Sequence, residues 1–169
     1  MKKKIILYIV STLDGYIARK DGSVDWLSKY ENTGEDYGYT EFYKSVSIVV
    51  MGNKTYKQAL SFGEGYKDKK CFVFSRGKQT SADEVTYVKN MKEFVEKVKK
   101  EKGNIWLIGG SILIDEFLKH NLIDELIISI IPTLLGGGIP LFRSKKAKEF
   151  KLADVKSYKS GIVQMSYKA

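Results

Sequence analysis

Four short runs, IVVM (48–51), CFVF (71–74), IWLI (105–108) and LIISII (126–131), are almost unbroken by polar residues. A strand with one wet face alternates apolar and polar side chains, so a strand apolar at nearly every position has both faces covered. Between the runs lie segments with helical spacing, at 36–45, 54–61, 91–100 and 112–120. In the third, Met91, Phe94, Val95 and Val98 share one face, with lysines and glutamates opposite. Strands that alternate with helices predict an α/β fold, a sheet flanked by helices. The runs extend to strands at 47–51, 70–75, 104–108 and 125–131, and further strands are expected at 4–10, 85–88, 150–158 and 162–167. The last two, separated by KSG, predict an antiparallel hairpin at the C-terminus. No repeat, low-complexity tract or shift of composition divides the chain, so residues 1–169 read as one domain.

Composition removes several functions. Cys71 and His120 are the only cysteine and the only histidine, which excludes an intrachain disulfide and any multi-His or Cys-rich zinc centre. No metal is therefore expected. Cys71 reads as a buried structural thiol. His120, followed by Asn121, reads as a surface residue at a helix C-terminus. The net charge is +9, with lysines gathered in MKKK, EKVKKEKG and RSKKAK. These are solvated faces or a positive field that draws anionic ligands. No ribonucleoprotein-type aromatic box or zinc finger accompanies them, so a nucleic-acid partner is not expected. No apolar run is long enough to span a bilayer. The start MKKKIILYIV has the basic head of a signal peptide, but Tyr8 interrupts its apolar run and no small-residue cleavage site follows. It reads as the first strand of a cytoplasmic protein.

Two strand-to-helix junctions carry glycine. In IVVMGNKTY, Gly52 ends a strand and Asn53 is placed to cap the next helix; in IWLIGGSILIDEF, Gly109 and Gly110 precede Ser111, a second candidate cap. Open α/β sheets bind ligands at the carboxyl ends of their strands, where helix N-termini favour anions. Glycine lets a phosphate approach the backbone, yet it also eases a plain turn, and either motif alone fits both readings. The dinucleotide fingerprint G-x-G-x-x-G is absent.

The ordered set YIVSTLDGYIARKDGSVDWL, VVMGNKTY, FVFSR, WLIGGSILIDEFL and IIPTLLGGGIPLF resembles the dihydrofolate reductase-like superfamily. Within it, the set is most similar to the reductase domain of bifunctional riboflavin-biosynthesis enzymes. The resemblance covers nearly the whole chain. It implies a three-layer fold with a mixed, mostly parallel eight-stranded sheet and an antiparallel C-terminal strand. It also implies an NADPH-dependent reductase of a small pyrimidine-like or pterin-like heterocycle, working as a homodimer. Gly52, Asn53, Lys54 and Thr55 would cradle the cofactor's phosphates, and Ser75 and Arg76 would meet its 2′-phosphate. Gly109, Gly110, Ser111, Ile112 and Leu113 would line the pyrophosphate and the approach to the nicotinamide. Val10, Ser11, Tyr16 and Ile17 would lie along the loop that covers the nicotinamide ring.

This chain departs from the pattern in three places. Many members carry Arg where Asn53 stands. Where folate reductases place a folate-clamping Arg, Lys69 is nearest, and a point charge does not replace a bidentate fork, which argues against folate. The deaminase motifs H-x-E and C-x-x-C of the bifunctional enzymes are missing, so the chain matches the reductase half alone. For the proton donor, Asp36 and Glu41 in ENTGEDYGYTEFYKSVS are the candidate carboxylates, each with a plain alternative as a helix residue. Trp26 and Tyr39 are candidate platforms for a flat substrate, and Gly137 in LLGGG would lie near its pocket. The alternative function is a nucleotide-binding protein of the same fold without turnover.

Overall fold

A computed structural model describes residues 3–31, 33–63, 65–77, 79 and 84–169; the first two residues of MKKK and the Asn of ENTGED lie outside the described residues. In chain order the strands are β1 (Ile5–Thr12), β2 (Tyr16–Ala18), β3 (Val46–Gly52), β4 (Lys70–Phe74), β5 (Val85–Val88), β6 (Asn104–Gly109), β7 (Glu125–Ile131), β8 (Ile139–Pro140), β9 (Lys151–Ser157) and β10 (Val163–Lys168). The helices are α1 (Ser28–Glu31, after a 3-10 turn at Asp25–Leu27), α2 (Tyr39–Ser45), α3 (Asn53–Ser61), α4 (Met91–Val98) and α5 (Ser111–Lys119).

Eight strands form one sheet in the order β5-β4-β3-β6-β1-β7-β10-β9. Pairings from β5 through β7 are parallel, and β10 runs antiparallel to both β7 and β9. Successive side chains on a strand point to opposite faces, and here both faces are covered. Leu7, Ile48, Val50, Phe72 and Leu107 face Phe94 of α4 and Leu113, Ile114 and Phe117 of α5. Their neighbours Ile6, Val49, Met51, Val73 and Trp106 face Phe42 of α2 and Tyr56 of α3. Covering both faces accounts for the unbroken apolar runs. Each buried aliphatic side chain contributes about 1.5–3 kcal/mol relative to exposure.

Several boundaries differ from expectation, each for a local reason. The helix expected from residue 36 starts at Tyr39, because Tyr37 (φ 55°) and Gly38 (φ 77°) are left-handed and a right-handed helix cannot pass through them. Asn53 and Ser111 do not cap α3 and α5. They are the first helical residues, the caps are Gly52 and Gly110, and neither helix has a side-chain cap. By contrast Asn90 caps α4 by accepting the Glu93 N–H at 3.0 Å, while Glu93 Oε2 reaches back to the Lys89 N–H at 2.7 Å. A small second sheet, β2 with β8, was not expected. It needs Gly138, where a Cβ would stand 2.2 Å from the Ala18 carbonyl oxygen.

Candidate functional site: a cleft at the carboxyl edge of the sheet

Because β4, β3, β6 and β1 run parallel and side by side, their carboxyl ends share one edge. The register sets Gly52 beside Phe74 and Met51 beside Gly109. The edge therefore presents, in order, Ser75 and Arg76, Gly52 and Asn53, Gly109 and Gly110, then Val10 to Thr12. A Cβ built on Gly110 would lie 3.5 Å from Thr55 Oγ1, so the first turns of α3 and α5 are immediate neighbours. Two helices that start side by side without side-chain caps leave their first N–H groups unpaired by such caps, and the positive ends of both dipoles lie close together. The two glycines have different tasks. Gly109 is buried, and a Cβ there would meet Ile9 Cδ1 at 3.5 Å and Ile114 Cδ1 at 3.6 Å, so it belongs to packing. Gly110, with φ 59° and ψ 135°, is half-buried, and among the described residues Thr55 Oγ1 is the one neighbour within 4 Å of a Cβ there.

The remaining cofactor candidates divide by environment. Asn53 and Thr55 are half-buried at the start of α3, whereas Lys54 and Arg76 are exposed at the edge and Ser75 is half-buried, its N–H bonded to the Val88 carbonyl at 3.0 Å. Ile112 is exposed in the first turn of α5, but the side chain of Leu113 is buried against the α4–α5 core and cannot line the cleft. Ser111 is buried, and its hydroxyl accepts a hydrogen bond from Arg143 Nε at 2.7 Å. Arg143, in a segment read as solvated charge, thus brings a guanidinium to the first turn of α5.

Past the end of β1 the chain is tied across to the loop that follows β7. Thr12 Oγ1 donates to Asp14 at 2.6 Å, and the Asp14 carboxylate also accepts the N–H groups of Leu135 at 3.0 Å and Gly136 at 2.8 Å. The Thr12 bond foremost, then the two backbone bonds, hold the Asp14 carboxyl down at about 2. This carboxylate joins STLDGYI, which carries Tyr16 and Ile17, to the glycine loop that carries Gly137; a Cβ on Gly137 would come 3.8 Å from Lys20 Cε. Ser11 is buried, and Ile17 packs on the α4–α5 side of the core.

An aromatic wall lies on the α2 side of β1. The Tyr8 ring stacks on Phe42 at 4.2 Å, and Trp106 lies edge-on to both. Tyr39 and Tyr43 continue the wall, and with Tyr66, Lys67 and Asp68 they line a cavity of about 330 Å³. The candidate acids lie near this wall. Asp36 Oδ1 accepts the Gly38 N–H at 2.8 Å and Oδ2 the Thr40 N–H at 3.1 Å. Bonds from Thr40 and Gly38 hold its carboxyl below the ordinary range. A carboxylate held this way is an anion near neutral pH and a helix-start ligand, not a ready proton donor. Glu41 is exposed in the first turn of α2. Trp26 is not a surface platform. At 7% exposure it packs with Tyr30, Ile131 and Ile162, and its indole N–H is buried with no partner among the described residues.

Three features escaped sequence reasoning. Asp14 and Arg143 act through partners more than thirty or a hundred positions away. Gln164, on β10, is buried at 7% exposure and donates to Ser129 Oγ at 3.0 Å and to the Tyr37 carbonyl at 3.2 Å. A glutamine inside an alternating strand carries no signal that marks such a role.

Comparison with known proteins gives the family and the fold. The pattern of the RibD C-terminal domain family matches residues 64–164. The chain is 45% identical over 147 residues to the uncharacterized protein YwjB of Bacillus subtilis (strain 168), spanning 84% of each. A crystal structure from Shewanella sp. PV-4, named for riboflavin biosynthesis, superposes with a TM-score of 0.86 at 31% identity, over 98% of both chains. The dihydrofolate reductase of Enterococcus faecalis in complex with NADP(H) shares the fold, with a TM-score of 0.71 at 16% identity over 98% of this chain and 95% of that one. The chain belongs to the RibD C-terminal domain family and has the dihydrofolate reductase-like fold.

Proposed function

We propose that this protein is a reductase that uses NADPH to reduce a small pyrimidine-like or pterin-like heterocycle. The observation that carries the reading is the pair of uncapped helix N-termini, α3 and α5, brought together at Thr55 and Gly110. Backbone N–H groups and two converging dipoles suit a diphosphate, and no Cβ at Gly52 or Gly110 stands in its way. Gly52, Asn53, Lys54, Thr55, Gly110, Ser111 and Ile112 would hold the diphosphate. Ser75 and Arg76, one strand over, would take the 2′-phosphate, where a guanidinium keeps its charge and fork geometry at every working pH. Val10, Ser11 and Tyr16, braced by the Asp14 tie, would flank the nicotinamide. Bound there, the cofactor supplies hydride; the chain's part is to orient it and to exclude water. Tyr39 and the cavity beyond it lie on the side from which a flat substrate would enter.

The protein is further proposed to be a cytoplasmic homodimer. Every residue of the edge strand β9 is exposed, and Leu152 (58%), Val155 (50%) and Val163 (36%) form an apolar row on one face of the sheet edge. The rival reading, a nucleotide-binding protein without turnover, draws on the ionised state of Asp36. Titration of NADPH and NADH against intrinsic tryptophan fluorescence tests the cofactor claim. Saturable NADPH binding is expected, and no response to either nucleotide would sink it. Binding without NADPH oxidation across a panel of pterins and pyrimidines would favour the rival.

A further inference from the structure

We propose that Tyr8 is the proton donor of the reaction, acting from behind Tyr39, whose ring centroid lies 6.3 Å from its own, with Gln164 as the residue that positions its hydroxyl. The inference rests on the reductase reading above and names the group that completes it. Tyr8 lies two residues before Val10 on β1, so both side chains share the face beneath α2. Its ring is fixed by stacking on Phe42 at 4.2 Å, and its backbone carbonyl accepts the Trp106 indole N–H at 3.0 Å. Only the hydroxyl end is left to work.

That hydroxyl lies beside the side chain of Gln164 and the carbonyl of Tyr37. Val10, Ser129 and Gln164 are direct partners across β1, β7 and β10. Gln164 Nε2 donates its two N–H groups to Ser129 Oγ at 3.0 Å and to the Tyr37 carbonyl at 3.2 Å, and shares them with Tyr8 Oη, 3.5 Å away. Tyr8 Oη in turn donates to the Tyr37 carbonyl at 3.3 Å. Both bonds at Oη are long against the optimum of about 2.7–2.8 Å for hydroxyl donors. The proton is therefore easily redirected to a better acceptor. The other donors are worse placed, with Asp36 engaged by Gly38 and Thr40 and Glu41 on the outer side of α2.

Burial first, and then the titratable groups nearby, favour the protonated phenol. Burial raises the Tyr8 phenol above its usual value, the Gln164 bond opposes this, and Tyr158 and the Asp36 carboxylate raise it further. Tyr37 and Tyr39 complete the ring of neighbours from the α2 side. In the reaction, hydride from reduced nicotinamide forms the new C–H bond at the carbon of a C=N or C=O group, and the π bond opens onto nitrogen or oxygen. The Tyr8 O–H bond breaks and its proton goes to that atom. Oη is left as a phenolate that accepts the Gln164 N–H until water returns the proton.

Tyr8→Phe removes one oxygen and keeps the stacked ring, so it tests the hydroxyl alone. The probes are NADPH and 7,8-dihydrobiopterin, with 13Cζ-tyrosine NMR on the NADP+-bound protein as a readout independent of turnover. The variant should bind NADPH within about twofold of wild type and lose about 10²–10⁴-fold in turnover. It should also lack the alkaline fall in rate that wild type shows as Tyr8 ionises. The Tyr8 resonance, assigned by its loss in the variant, should move when the pterin is added. Failure of wild type to bind NADPH would defeat the reductase reading itself. NADPH binding with undiminished turnover in Tyr8→Phe would overturn the Tyr8 assignment alone. If wild type binds NADPH but does not oxidise it with this pterin, a Tyr8 resonance that stays put overturns the assignment and one that moves supports it.

Discussion

Alanine at each of the two adjacent glycines at the junction of β6 and α5 separates backbone strain from ligand contact. Gly109 and Gly110 both have positive φ, 132° and 59°. An L-residue in such a conformation costs about 1–3 kcal/mol. For a chain of this length each kcal/mol lowers Tm by about 2–4 °C, so either substitution should cost about 2–12 °C. At Gly109 the new methyl would sit at ordinary contact distance from Ile9 and Ile114, inside the core and away from the cleft. At Gly110 it would stand beside Thr55 Oγ1, 3.5 Å away, in the space between the starts of α3 and α5. There it would hold a phosphate off the N–H groups. Loss of one charge-assisted hydrogen bond costs about 1.5–3 kcal/mol, or about 10- to 150-fold in Kd. Thermal melts and NADPH fluorescence titrations of both variants give the comparison. Similar Tm losses are expected, with Gly110→Ala weakened about 10- to 150-fold and Gly109→Ala within about threefold. Equal affinity losses, or an unchanged Kd in Gly110→Ala, would refute the assignment of the two roles.

Arg76→Ala should weaken NADPH binding far more than NADH binding, measured by the same titration; equal losses would remove Arg76 from the 2′-phosphate. The Asp14 carboxyl lies at about 2 in the folded chain, below its usual 3.8. Its contribution is thus fully present above the usual carboxylate range, and it fades as pH falls and is gone below about 2. Melts of wild type and Asp14→Ala should differ at pH 6 and converge near pH 2, whereas a constant gap would show that the tie does not depend on charge. Val155→Lys on the apolar row of β9 should convert a dimer to a monomer in light scattering while leaving NADPH affinity intact.

The central sheet was legible because burial on both faces leaves a direct mark, as in IVVM and CFVF, where no position carries a polar side chain. The three-residue β2 and two-residue β8 left none, since strands so short have no period to detect. The glycine junctions were located, but their chemistry was misjudged at Asn53 and Ser111. Capping preferences favour such residues over the glycine before them, and only the backbone angles reveal that the glycine is itself the cap. At 36–45 the periodicity ran three residues too far, because Tyr37 is a non-glycine residue held left-handed by bonds from Tyr8 and Gln164. Trp26 read as a platform from its place after a loop, yet Ile131 and Ile162, more than a hundred positions away, bury it. The site features that were missed, Asp14, Arg143 and Gln164, all depend on contacts distant in the chain, for which local pattern has no signature.

The single thiol of this protein also doubles as a clock. Cys71 lies in β4, hydrogen-bonded between β3 and β5, and burial pushes its ionisation up to about 12. Only the thiolate reacts with alkylating reagents, so modification requires the sheet to part at that place. The labelling rate of the wild-type chain therefore counts openings of the strand that leads to Ser75 and Arg76, with no engineered probe. A nucleotide that bridges β4, β3 and β6 at their ends should slow that count, so cofactor binding becomes readable as time rather than as light.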